Sequence, residues 1–142
     1  MLATTPSRTR WTALALTVTT VELTLTTAYV HLSLGGVLFT LNAIGYAMLA
    51  LALVAGTIPH PLVRRFSWLP RVGLALFTAV TIGAYLVIGP YFSLGWVAKA
   101  VEVAILTLLA ADVLRVYGSL GGLVRAATDT FRRDDSRPMQ TA

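Results

Sequence analysis

The chain contains no cysteine, a single lysine, a single asparagine, two histidines and two glutamates. Without cysteine there can be no disulfide framework, thiol redox relay or thiolate metal site, and the redox compartment is left open. Charged residues are also scarce, at 12%. An average soluble domain carries roughly 25%, so too few are present to cover a water-exposed surface. Apolar residues are abundant: 56% of the chain is hydrophobic and the mean hydropathy is +0.76. A length of 142 residues suits one domain. The composition is that of a membrane protein.

The net charge of +5 rests on arginine. Arg8, Arg10, Arg64, Arg65, Arg71, Arg115 and Arg125 flank apolar segments, and Arg132, Arg133 and Arg137 lie toward the C-terminus. Arginines so placed act as topology signals beside anionic lipid headgroups rather than as a nucleic-acid footprint. The opening "MLATTPSRTRWTALALTVTTVEL" has the basic head of a signal peptide. Its apolar run is longer than the roughly 7–15 residues of a signal-peptide core and carries no clear small-x-small cleavage site, so it reads as a retained helix.

Crossing about 30 Å of hydrocarbon takes around 20 helical residues. Four stretches qualify, at about 11–31, 36–55, 71–89 and 96–117. They are separated by "SLGG" at 33–36, "GTIPHP" at 56–61 and "GPYFSLG" at 89–95, breaks rich in glycine or proline. The two short turns hold no arginine, whereas the N-terminus, the middle connection and the C-terminal region hold all of them. Positive-inside bias then puts both termini (the N-terminal segment being 1–10) and the middle connection on the cytoplasmic side. After the fourth span, Leu120, Leu123, Val124, Ala127 and Phe131 recur at helical spacing, which predicts an amphipathic interfacial or partner-docking helix over 119–135. Residues 136–142 read as a disordered tail. The expected fold is an all-α membrane protein: four transmembrane helices in a compact bundle of two short-turn hairpins, closed by the interfacial helix. A plasma (inner) membrane location is expected.

The few ionisable residues sit where they are most costly. Glu22 lies near the middle of the first span, and Lys99 and Glu102 lie in the outer half of the fourth. Each ionised side chain at mid-membrane costs about 2.5–3.5 kcal/mol, so three facing lipid would cost on the order of 8–10. A neutral arrangement, in which Lys99 balances one carboxylate and the other glutamate carries a proton, costs far less. Lys99 and Glu102 are i,i+3 neighbours and can touch. On the first span Thr12, Ala15, Thr19, Glu22, Thr26 and Tyr29 recur at steps of three and four, one stripe that would face inward. Asn42 and Tyr46 lie at matching depth on the second span. The expected proton or ligand site is therefore Glu22, Lys99, Glu102, Asn42 and Tyr46, with Tyr29, His31 and Tyr85 at the outer rim. Aligning Gly35 with Gly95 sets Asn42 opposite Glu102, a weak internal repeat.

Asp112 has Arg115 three residues on and reads as a local ion pair at the membrane surface. His31 and His60 fall on opposite sides and cannot share a metal or a haem. No nucleophile–base constellation and no phosphate loop appears, so neither an enzyme nor a cofactor is indicated.

Four helices, small size and one glutamate in the first span form a layout similar to that of the small multidrug resistance transporters. Those proteins work as dimers and exchange protons for cations at that glutamate. The residues flanking Glu22 and the Lys99–Glu102 pair depart from that family's pattern, so the likeness is one of architecture. Two readings follow. The first is a proton- or cation-linked small-solute carrier acting as a homo-oligomer. The second is a non-enzymatic accessory or scaffold subunit of a larger membrane complex, in which the buried polar residues lock helices together.

Overall fold

The computed structural model describes residues 6–89 and 91–132. They form six helices and no strand: α1 (Pro6–Leu34), α2 (Val37–Ala55), α3 (Pro61–Arg65), α4 (Trp68–Ile88), α5 (Ser93–Tyr117) and α6 (Leu120–Arg132). The expected disordered tail at 136–142, the N-terminal residues 1–5 and the last residues of the expected interfacial helix lie outside the described residues.

Three helices are long and apolar enough to cross a membrane: Arg10–Leu34 within α1, Val37–Ala55 and Trp68–Ile88. α5 is longer than the last two but carries Lys99, Glu102, Asp112 and Arg115. It is also the most buried element, with eight residues shielded by the other helices.

Threonine is a mediocre helix former in water, yet α1 contains many. Their hydroxyls bond carbonyls one turn back: Thr20 to Leu16 at 2.7 Å, Thr24 to Thr20 at 2.6 Å and Thr26 to Glu22 at 2.8 Å. A polar side chain satisfied on its own helix can sit in an apolar medium. α1 turns into α2 through Gly35 and Gly36, at φ 71° and 86°, a left-handed backbone that glycine takes without strain. α5 ends on Gly118 in the same region, φ 72°. Between α2 and α4 the proline-rich connection is not plain loop. Pro61 opens the short α3, and the His60 side chain accepts a bond from Leu62 N–H at 3.3 Å, an N-cap role.

The core lies where α1, α2, α4 and α5 meet: Ala28, Tyr46, Leu53, Leu74, Ile105 and Leu109. α6 is tied back to the start of α4. Arg65 donates to the Thr130 carbonyl, Trp68 Nε1 donates to Thr130 Oγ1 at 3.3 Å, and the Trp68 and Phe131 rings meet edge to face at 6.4 Å.

Candidate functional site

Glu102 is the centre of the buried polar groups. It projects from the middle of α5 and is entirely out of reach of solvent, at 0% exposure. Lys99, one turn earlier, sets Nζ 2.5 Å from Glu102 Oε2. The same oxygen lies 3.3 Å from the Thr81 hydroxyl of α4. Thr81 Oγ1 is in turn 2.7 Å from Tyr46 OH of α2, so Tyr46 reaches the carboxylate through Thr81. Lys99 also donates to the Thr81 carbonyl at 3.4 Å and stands over the Tyr85 ring at 5.4 Å, a cation–π contact.

The other oxygen, Oε1, faces α1. Thr27 donates to it at 3.4 Å, and His31 Nε2 stands 3.7 Å away. His31 Nδ1 lies 2.8 Å from the Thr27 carbonyl. A carbonyl can only accept, so Nδ1 carries the hydrogen of the neutral ring. Nε2 is then the nitrogen turned toward the carboxylate. The two stand at ion-pair distance, beyond hydrogen-bond length. The imidazole is 4% exposed and wedged between Phe39 and Tyr46, so it cannot swing away.

Beside this cluster is a cavity of about 270 Å³. Its polar lining comes from His31, Asn42, Thr81, Tyr85 and Lys99, and its walls are mostly apolar, among them Leu38, Phe39 and Phe92. It lies at the end of the molecule where the Gly35–Gly36 turn and the α4–α5 connection sit. Gly95 belongs to this site for a steric reason: a Cβ there would collide with the Tyr85 hydroxyl. Tyr85 is held under Lys99 among Tyr91, Phe92 and Trp96.

Most of the expected residues meet here. Lys99, Glu102, Tyr46, His31, Tyr85 and Asn42 share one cluster and its cavity. His31, expected at the rim, is buried in the centre. Glu22 and Tyr29 are not part of it: both are exposed on the outer side of α1, Tyr29 at 73%. The inward stripe of α1 is Thr20, Thr24, Thr27, Ala28 and His31. Glu22 is two residues from Thr24, about 200° round a helix of 3.6 residues per turn, so both cannot face the same neighbour. The cluster thus holds one carboxylate, beside one lysine and one imidazole.

Thr27, which touches Glu102 on the side away from Thr81, went unread in the sequence. The signal was the i,i+4 step from Thr27 to His31, which aligns with Thr20 and Thr24. Asp112, expected to pair only with Arg115, also accepts Arg71 Nε from α4 at 2.7 Å, a junction that ties α4 to α5 near the α3 end. Among the described residues no three of His, Asp and Glu converge as metal ligands would. No protein-family model, no characterised protein and no solved structure matches the chain.

Proposed function

We propose that this protein is a proton-linked carrier of a small amphipathic solute. One observation carries the reading: the basic nitrogen of His31 faces Glu102 Oε1 at 3.7 Å, while Lys99 holds the other oxygen at 2.5 Å. With Lys99 ammonium and Glu102 carboxylate the cluster is neutral. A proton arriving at either His31 or Glu102 makes it cationic. That change is felt directly in the neighbouring cavity, whose wall includes both Lys99 and His31. A solute with an apolar body and one or two hydrogen-bonding groups fits such a lining. Buried ionisable groups in a membrane protein mark proton and solute paths.

In this reading α5 is a fourth span. Its charged groups are tolerated because α1 and α4 cover them. The arginine-rich connection at 56–71 and α6 face the cytoplasm, and Arg64, Arg125 and Arg132 lie against anionic headgroups.

The test is flux in vesicles reconstituted with the full chain, under an imposed pH gradient, using a panel of small amphipathic solutes. Glu102→Gln keeps the shape, and its amide oxygen can still accept from Lys99 and Thr81, but its amide nitrogen cannot accept from Thr27 and the group cannot bind a proton. We expect solute-driven proton movement to fall to the level of empty vesicles while the variant still folds.

A second reading has its own support. Glu102 bonds to α1 and α4 at once, as a helix-packing lock in an accessory subunit would. That reading predicts that the wild type moves no protons and that Glu102→Gln lowers assembly with a larger complex.

A further inference from the structure

The charge on the wall of the cavity beside Glu102 has one sign. Lys99 lines the cavity and Glu102 does not, the carboxylate being enclosed among Lys99, Thr27 and Thr81. Among the described residues Lys99 is the one charged group in that lining, with the neutral His31 ring beside it. An ammonium has three hydrogens to give. Two go to Glu102 Oε2 and the Thr81 carbonyl, which leaves a third with only the Tyr85 ring nearby. The Asn42 amide shares the lining and has no hydrogen-bond partner among the described residues. Most of the remaining wall is apolar, Leu34, Val80 and Ile88 included.

We propose that the cavity binds a small monocarboxylic acid as its anion, paired with Lys99 and hydrogen-bonded to Asn42, while Glu102 takes up one proton. The inference rests on the carrier reading and names its class of solute. Charge decides the sign. Empty, the site sets Lys99 ammonium against Glu102 carboxylate and is neutral. A cation would meet Lys99 with no carboxylate in the wall to offset it. A neutral solute would leave the added proton uncompensated in an apolar interior, which is costly. An anion does neither: the proton neutralises Glu102, Lys99 turns to the incoming carboxylate, and the loaded site is neutral again. One O–H bond forms on Glu102, its proton coming from the medium, so the net species taken up is the neutral acid. The titratable groups that face Glu102 are Lys99 of α5, His31 of α1 and, through Thr81 of α4, Tyr46 of α2. None is a second carboxylate that could hold Lys99 in its place. A cavity of about 270 Å³ is smaller than the roughly 300–1,000 Å³ of drug-sized pockets, which suits a single ring or a short chain.

Isothermal titration calorimetry on the full chain in mild detergent tests this. Benzoate and hexanoate are compared with benzamide and benzylammonium, which keep an apolar body and change the head. We expect the two carboxylates to bind roughly tenfold or more tightly than the amide or the cation. Heats compared across buffers should show one proton taken up per acid bound. Affinity should fall as pH rises, by up to about tenfold per unit for one linked proton, over a range in which both acids stay ionised. Glu102→Gln should bind benzoate with no proton uptake and no such slope, and Asn42→Leu should weaken it roughly fivefold. Benzamide or benzylammonium binding as well as benzoate, neither acid binding, acid binding without proton uptake, or an affinity untouched by Asn42→Leu would each overturn the assignment. Binding in detergent requires no transport, so the two readings fail separately. Vesicles without flux, although benzoate binds with its proton, would end the carrier reading and leave the acid site standing. Proton-coupled flux of a cation would do the reverse.

Discussion

Lys99 and Glu102 show how much one residue depends on its partner. An ion pair buried this deeply is weak support for stability while intact, yet removing one member strands the other. Lys99→Met should therefore lower stability by about 3–5 kcal/mol, whereas the double variant Lys99→Met/Glu102→Gln should recover most of the loss. Thermal unfolding in detergent reads the difference. If the double variant is no more stable than the single one, Glu102 is held mainly by Thr27, Thr81 and His31. At this scale the sequence was half legible. The Lys99–Glu102 contact follows from i,i+3 spacing alone. The choice of face on α1 does not, because two stripes each satisfy helical spacing and each contains threonines. What separates them is the position of α5, which brings Glu102 to Thr27 across 75 residues of chain. Glu22 drew the reading toward the wrong stripe because a mid-span acid looks like a site.

Among the elements, the helices were legible from their interruptions: Gly35–Gly36, Pro59 and Gly89 fall between observed helices, and Pro61 opens one. The short α3 was not, because five residues are too few for periodicity to register. The docking of α6 was not legible either. Its anchor, Thr130, is an unremarkable residue in sequence, buried only because Arg65 and Trp68 close over it. Thr130→Val would remove the hydroxyl that meets Trp68 and would leave the carbonyl that meets Arg65. Each lost bond is worth about 1 kcal/mol. The expected outcome is a several-fold faster proteolytic cut near Gly118–Ser119 with α1 to α5 intact, followed by mass spectrometry of the fragments. An unchanged cutting rate would mean that the Arg65 contact and the Phe131 ring suffice.

For the whole molecule, the proposed orientation makes a prediction of its own. A membrane-impermeant thiol reagent applied from outside should label Val37→Cys beside the α1–α2 turn and fail to label His60→Cys before α3. The opposite pattern would invert the protein and place the cavity on the inner side. The same arrangement bears on how the chain is made. α1, α2 and α4 are each apolar enough to enter a bilayer unaided. α5 is not so equipped, since it carries a lysine, a glutamate and an aspartate whose partners lie on helices already synthesised. If α5 is the fourth span proposed above, its insertion awaits α1 and α4, held near the point of entry until Thr27, His31, Arg71 and Thr81 can receive it. Biogenesis of that span is then templated by the first, and damage at His31 would surface as a chain whose α5 never enters the membrane.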